Sequence, residues 1–107
     1  MKEIKFRAWD KEKKEMFNWS FTEKGVFPSD FFNNSDYEVM QFTGLHDKNG
    51  KEIYEGDIIE TRVSGKSGSA IKAVIWNTKY CGFNIKDDEE LEREIIGNIY
   101  ETPELLN

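Results

Sequence analysis

Few residues in this chain have the type and spacing that chemistry demands. Gly65-Lys66-Ser67 repeats the close of a phosphate-binding loop, in which backbone N–H groups and a lysine cradle phosphate oxygens. That pattern needs a glycine five positions before Gly65 and a helix after it. The chain has Glu60 there, and the triplet sits between two strand-like segments. Asp47-Lys48-Asn49-Gly50 alternates oxygen ligands somewhat as a calcium loop does. Such a loop carries acids at its first, third and fifth positions, glycine at the sixth and glutamate at the twelfth. The spacing fails, whereas a hairpin turn explains each of the four residues.

His46 is the single histidine and Cys81 the single cysteine. A zinc site built on them would need carboxylates for its other ligands, and a Cys–His nucleophile pair would need an orienting partner and an oxyanion site. Neither companion set surrounds them. They read instead as a histidine exposed near a turn and a small half-buried thiol. Asp57, after Glu55-Gly56, reads as a turn-capping acid. The acids of residues 87–94 form a solvated, self-repelling run rather than an acid–base pair. No catalytic, cofactor-binding or metal-binding constellation emerges, and a non-enzymatic protein is expected.

Composition narrows the class. The chain has 107 residues and a formal net charge of −6, with eight Phe, four Tyr and three Trp among a hydrophobic fraction of 37%. That size fits one domain, 1–107, and the aromatics are expected to dominate its core. Residues 1–24 carry seven Lys or Arg against five acids, residues 25–86 seven against eight, and residues 87–107 one against eight. The acidity therefore belongs to the C-terminal segment. Phosphate binding draws on clustered Lys and Arg, so this balance disfavours nonspecific nucleic-acid binding. The cluster Lys11, Lys13 and Lys14 is interleaved with Glu12 and Glu15 and reads as a solvated turn. One cysteine allows no internal disulfide, and neither a membrane-length apolar run nor an apolar leader is present. A cytoplasmic protein is expected, with no membrane partner.

The elements that position these residues follow from alternation and turn chemistry. Ile4, Phe6 and Ala8, then Phe17, Trp19 and Phe21, give two period-two strands joined through the polar run 10–15. The join is either a lysine-rich loop or a tight turn at Glu12-Lys13 between extended strands. Residues 24–36 read as a loop pinned by aromatics. A third strand covers 37–42, with Met40 and Phe42 on one side. Asn49-Gly50 should reverse the chain in a two-residue turn with positive φ at both residues. Strands at 58–63 and 70–76 should pair across the Gly/Ser-rich loop 64–69, and the last strand covers 95–100. Thr102 before Pro103 is a helix start, with Thr as N-cap. Leu105 and Leu106 then pack on the core or on a neighbouring subunit.

Three blocks, IKFRAWD at 4–10, MQFTGLHDKNGKEIYEGDII at 40–59 and IIGNIYETPELL at 95–106, together resemble the YopX family, small proteins encoded mainly by phages and prophages of Gram-positive bacteria. His46 departs from the polar residue usual there. The resemblance implies a mainly β fold, β-rich α+β at most, and a phage or prophage source; it transfers no catalytic or binding residues. Combined with the strand spacing, it gives an N-terminal hairpin lobe, 1–36, and a small, partly open SH3-like barrel, 37–107, ending in a short helical turn.

Function then rests on surface recognition. Trp9, Tyr54, Trp76 and Tyr100, with Trp19, are amphipathic aromatics that serve either core or interface, and the first four are the candidate interaction surface. The expected activity is that of a protein-interaction module with a host or phage protein as partner, and small β domains also pair with themselves. The alternatives are a nucleic-acid-binding barrel face using Arg7 and Lys72, or nucleic-acid mimicry by the acidic segment.

Overall fold

The computed structural model of the chain describes residues 4–20, 35–63, 65–85 and 91–107, with only the backbone at residues 19 and 20. The expected aromatic loop between 24 and 34, the strand position of Phe21, the side chain of Trp19 and the acids of 87–90 lie outside the described residues.

The alternating segments at the start form an antiparallel pair, β1 (Lys5–Asp10) and β2 (Glu15–Ser20). Asp10 faces Glu15 and residues 11–14 form the loop between them, so the join is the lysine-rich loop and the strands do not extend to a tight turn at Glu12-Lys13. Asp10 holds that loop: its Oδ1 accepts hydrogen bonds from the N–H groups of Glu12 and Lys13, both at 3.0 Å. The other edge of β1 pairs with β3 (Tyr37–His46), from Phe6 opposite Gln41 to Asp10 opposite Tyr37. Backbone pairing thus crosses the lobe boundary placed at residue 36. β4 (Glu52–Tyr54) completes a four-stranded sheet of order β2-β1-β3-β4.

The reversal between β3 and β4 differs from the two-residue turn read from Asn49-Gly50. Gly50 N–H donates to the Asp47 carbonyl at 3.0 Å, and Gly50 has φ +84° while Asn49 stays at negative φ. Asp47 is therefore the first residue of the turn and Gly50 the last, the arrangement of a type I turn followed by a left-handed glycine. Asp47 decides it, since its Oδ1 accepts from both Asn49 N–H and Lys51 N–H at 2.9 Å.

A second sheet of order β6-β5-β9 comprises β5 (Asp57–Val63), β6 (Ala70–Ala73) and β9 (Leu91–Asn98), and a short pair joins β7 (Trp76–Asn77) to β8 (Gly82–Phe83). β5 and β6 pair across the Gly/Ser-rich loop, but only from Thr61–Ala70 to Ile58–Ala73. Register shifts between Phe42 and His46 and between Ile58 and Ile59 mark irregularities of the kind that bend strands. The mainly β chain accordingly curls into a half-barrel. The corner between β4 and β5 holds the two sheets: Gly56 N–H donates to Val74 O, Val74 N–H to Asp57 O and Ile99 N–H to Gly56 O, at 2.8, 2.8 and 2.9 Å.

Ile53, Ile59 and Val74, each 0% exposed, form the centre of the core, with Leu45, Phe83, Ile85 and Ile95 packed around them. Among the described residues this centre is aliphatic, not aromatic: at this corner three hydrogen-bonded backbones converge, and compact β-branched side chains fill the space between them. Each such burial contributes about 1.5–3 kcal/mol. The buried aromatics Trp9, Phe42 and Tyr54 lie on the four-stranded sheet instead. Pro103–Leu106 closes the described chain as a single 3-10 turn. Thr102 does not cap it by its side chain; its hydroxyl accepts from Asn98 N–H at 3.0 Å and donates to Asn98 O at 3.1 Å.

Candidate functional site

Among the concave surfaces of the described residues, two gather the side chains singled out in the sequence. The first is an open polar hollow of about 490 Å³ between the sheets, lined by Arg7, Asn18, Lys51, Glu52, Tyr54 and Asp57 among others. β1 and β5 bring Arg7 and Asp57 together there: Arg7 Nη2 donates to Asp57 Oδ1 at 2.8 Å, and the two side chains are only 10% and 3% exposed. The same nitrogen reaches Glu55 O at 3.3 Å, and the guanidinium carbon stands 4.8 Å from the centre of the Tyr54 ring. Asp57 Oδ2 accepts from Tyr54 N–H at 2.8 Å, so the acid caps the turn between β4 and β5.

Electrostatics follow from this crowding. Burial pushes the Asp57 carboxyl above its ordinary value, against the opposing pull of Arg7 and of the Tyr54 N–H. Burial, then the neighbouring Glu52, pushes the Tyr54 phenol up to about 12, and its hydroxyl donates to Glu52 Oε1 at 3.3 Å. Glu52 is also ion-paired with Lys5. Arg7, Asp57, Tyr54, Glu52 and Lys5 are thus paired with one another, while Arg7 Nε is buried with no hydrogen-bond partner among the described residues. An acid–base catalyst needs a group free to take and return a proton at a reacting atom, and these groups are engaged in holding β1, β4 and β5 together.

The second surface is a groove of mixed character, about 450 Å³ in volume, between β3 and the β7–β8 pair, where Ile4, Phe42, Trp76 and Phe83 stand among Gln41, Thr43 and Cys81. Trp76 packs edge-on against Phe83 with ring centres 5.1 Å apart, yet stays 43% exposed. Beside it Ile75 is 50% and Tyr80 74% exposed. Single exposed apolar residues are ordinary, whereas several on one short segment beside a groove mark a recognition surface.

The four aromatics chosen from the sequence do not share one face. Trp9 is buried and stacks on the half-buried Tyr100, ring centres 5.5 Å apart and planes 18° from parallel. Burial, then Glu38 and Glu55, raises the Tyr100 phenol. Tyr54 is buried against Phe42 and Arg7. Of the four, Trp76 alone is exposed. Sequence reading missed Ile75 and Tyr80. A signal existed, for Tyr80 lies in the turn segment NTKYCG, where chain reversal calls for small polar residues.

The remaining candidates are placed plainly. Arg7 is buried in its ion pair, and Lys72 donates to Asn84 O at 2.5 Å, so neither is extended toward a phosphate backbone. Lys11 pairs with Glu38 at 2.9 Å on the surface. His46 is exposed and lies edge-on to Phe42. Cys81, read as half-buried, is exposed in the left-handed region at φ 52°, because the turn it belongs to projects from the sheet. Among the described residues no group of three or more His, Cys, Asp or Glu is placed to hold a metal ion. Among them, too, no helix is long and apolar enough to cross a membrane.

Fold and surface together define a small mainly β protein with a buried Arg7–Asp57 pair between its strands and with exposed apolar side chains that include Ile75, Trp76 and Tyr80 at the β7–β8 hairpin. The YopX protein family matches residues 21–107, and the chain belongs to that family. Its fold is similar to the crystal structure of protein EF1440 from Enterococcus faecalis, with 27% identity, a TM-score of 0.63, and coverage of 97% of this chain and 98% of that one. It is similar also to protein yopX from Bacillus subtilis, at 21% identity and a TM-score of 0.63, over 96% of this chain and 98% of the other. No curated protein matches the sequence.

Proposed function

We propose that this is a phage- or prophage-encoded, non-enzymatic protein-interaction module acting in the cytoplasm of its bacterial host. The observation that carries the reading is the exposure of three large apolar side chains, Ile75, Trp76 and Tyr80, within one short segment, with Trp76 lining a groove. Tryptophan and tyrosine are the residues that most often supply the binding energy of protein interfaces. The polar hollow supports the same reading from the other side, since its Arg7, Asp57, Tyr54 and Glu52 are bound to each other. YopX membership supports the phage or prophage source, and a lone exposed thiol suits a reducing compartment.

Affinity capture from host cytosol, with the wild-type chain and with a Trp76→Ala/Tyr80→Ala variant as bait, tests this function. A reproducible partner that the variant fails to retain is the expected result. Wild-type bait that retains no protein, including further copies of itself, overturns the reading.

A further inference from the structure

Arg7 is only partly used by the ion pair it forms. A guanidinium carries N–H donors on three nitrogens. Those of Nη2 go to Asp57 Oδ1 and Glu55 O, whereas Nε is buried with no partner and Nη1 forms no hydrogen bond among the described residues. The side chain is nine-tenths buried, and it lines the open hollow between the sheets. Buried donors left unmet in this way cost stability until an acceptor reaches them.

Two further donors line the same hollow. Lys51 is exposed and has no ion pair among the described residues, and the side-chain amide of Asn18, which faces Arg7 in the β1–β2 register, makes no hydrogen bond among them either. The carboxylates are in the reverse state. Asp57 accepts from Arg7 and from Tyr54 N–H, Glu52 from Lys5 and the Tyr54 hydroxyl, and Asp47, on the far side of Ile95, from the N–H groups of Asn49, Lys51 and Ile95. Glu101, bonded to Asn98 at the rim, stands in water. The hollow thus has donors to offer and its acceptors already occupied, which selects an oxyanion over a cation. With Arg7 matched to Asp57 and Lys5 to Glu52, Lys51 is the lining charge left over, and it balances one negative charge rather than two. Tyr54 and Ile95 add an apolar wall, and about 490 Å³ is a volume suited to a small molecule.

We propose that this hollow binds a small monocarboxylic acid, with its carboxylate on Arg7, Lys51 and Asn18 and its apolar body against Tyr54 and Ile95. Asp57 keeps its bond to Nη2 throughout, so the corner between the sheets need not open. The site lies apart from the β7–β8 hairpin. It goes beyond the interaction-module reading and stands or falls without it.

Nuclear magnetic resonance titration of the whole protein with sodium benzoate, benzamide and inorganic phosphate at constant ionic strength provides the test. Benzoate has both the charge and the apolar body, benzamide lacks the charge, and phosphate lacks the body. Benzoate is expected to shift the Arg7 Nε–H, the Asn18 side-chain amide and the Ile95 N–H saturably, and the other two should bind at least about tenfold more weakly. Lys51→Ala should weaken benzoate binding about tenfold and Asn18→Ala about threefold. Both residues are exposed, and far-UV circular dichroism verifies that the variants fold. Trp76→Ala should leave the affinity unchanged. Benzoate shifts that never saturate or that miss Arg7, equal binding of benzamide or phosphate, an unaltered affinity in Lys51→Ala, or a loss in Trp76→Ala each overturns the proposal. Partner capture through Trp76 is read in a separate experiment, so failure here leaves the interaction-module reading in place.

Discussion

Arg7 and Asp57, fifty residues apart in sequence, meet at 2.8 Å and tie the central strand of one sheet to the first residue of β5 in the other. The raised Asp57 carboxyl shows that Arg7 offsets only part of the desolvation, yet removing one partner leaves the other charge buried alone and costs about 3–5 kcal/mol. Arg7→Leu is therefore expected to lower stability by about that amount in urea titrations near neutral pH. Asp57 already sits above its ordinary value through burial, and losing the guanidinium removes an opposing pull. A raised carboxyl binds its proton more readily folded than unfolded, so its stabilisation is lost as pH rises through the raised value. The cost of Arg7→Leu should accordingly shrink as pH falls toward the carboxylate range. Adding Asp57→Asn should recover part of it at neutral pH, since no unpaired charge then remains. A cost independent of pH would show that the pair is not what the substitution disturbs.

Tyr54 gives a prediction at the other end of the scale. Its phenol titrates near 12 in the folded chain, against about 10 when unperturbed. A group raised in this way contributes stability that is complete below the unfolded value and is lost as pH climbs to the folded one. Thermal melts should thus decline between about pH 10 and 12. Tyr54→Phe should flatten that decline and remove one late phenolate from the ultraviolet titration. Because the hydroxyl donates to Glu52 at 3.3 Å, the substitution should cost only about 1 kcal/mol near neutral pH.

Asp47 acts with the opposite sign. Burial, its largest single influence, would raise the carboxyl, but the N–H groups of Lys51, Ile95 and Asn49 and the charge of Lys51 outweigh it and hold it below its ordinary value. Its stabilisation is present above the unfolded value and disappears as pH falls through the depressed one. Asp47→Ala should remove that acid-side loss from the stability profile. It should also cost about 2–4 kcal/mol near pH 7, because three backbone donors lose a charged acceptor. Since Oδ2 reaches Ile95 N–H at 3.2 Å, amide exchange should quicken in β9 as well as in the hairpin. Quickening confined to residues 47–51 would separate the turn from β9.

The sequence announced these turns but not what lies beyond them. Alternation placed Met40 and Phe42 on a buried face, because a half-covered strand leaves a period of two in its residue types, whereas β1, covered on both sides, buries Arg7, Ala8, Trp9 and Asp10 alike, and Ile4 before it is 57% exposed. Asp47 was legible as a turn residue, yet its bond to Ile95 depends on a strand 48 residues away, which no local spacing encodes. Arg7 read as a surface cation for the same reason, with its partner in β5. The aromatics were the least legible. Trp9, Tyr54, Trp76 and Tyr100 suit core and interface equally well by chemistry, and only the curl of the half-barrel buries the first two and leaves Trp76 outside.

Gly97 sets the position of the C-terminal turn. A Cβ at that position would stand 2.0 Å from Thr102 Oγ1 and 2.9 Å from Leu105 Cδ1, a distance no packed side chain tolerates. Leu105 can swing away, but Thr102 is held by its two bonds to Asn98. Gly97→Ala must therefore break the Thr102–Asn98 pairing or shift β9, at a cost of about 1–3 kcal/mol, the range for overpacking. The loss should be local: amides of Thr102, Leu105 and Asn107, all hydrogen-bonded in the turn, should exchange faster while those of β1 and β3 keep their protection. Thr102→Ala in the Gly97→Ala background removes the hydroxyl that a new methyl would strike. It should restore part of the stability without restoring the turn's exchange protection, since the bonds to Asn98 are then gone. Full recovery of both would place the strain elsewhere than at Thr102.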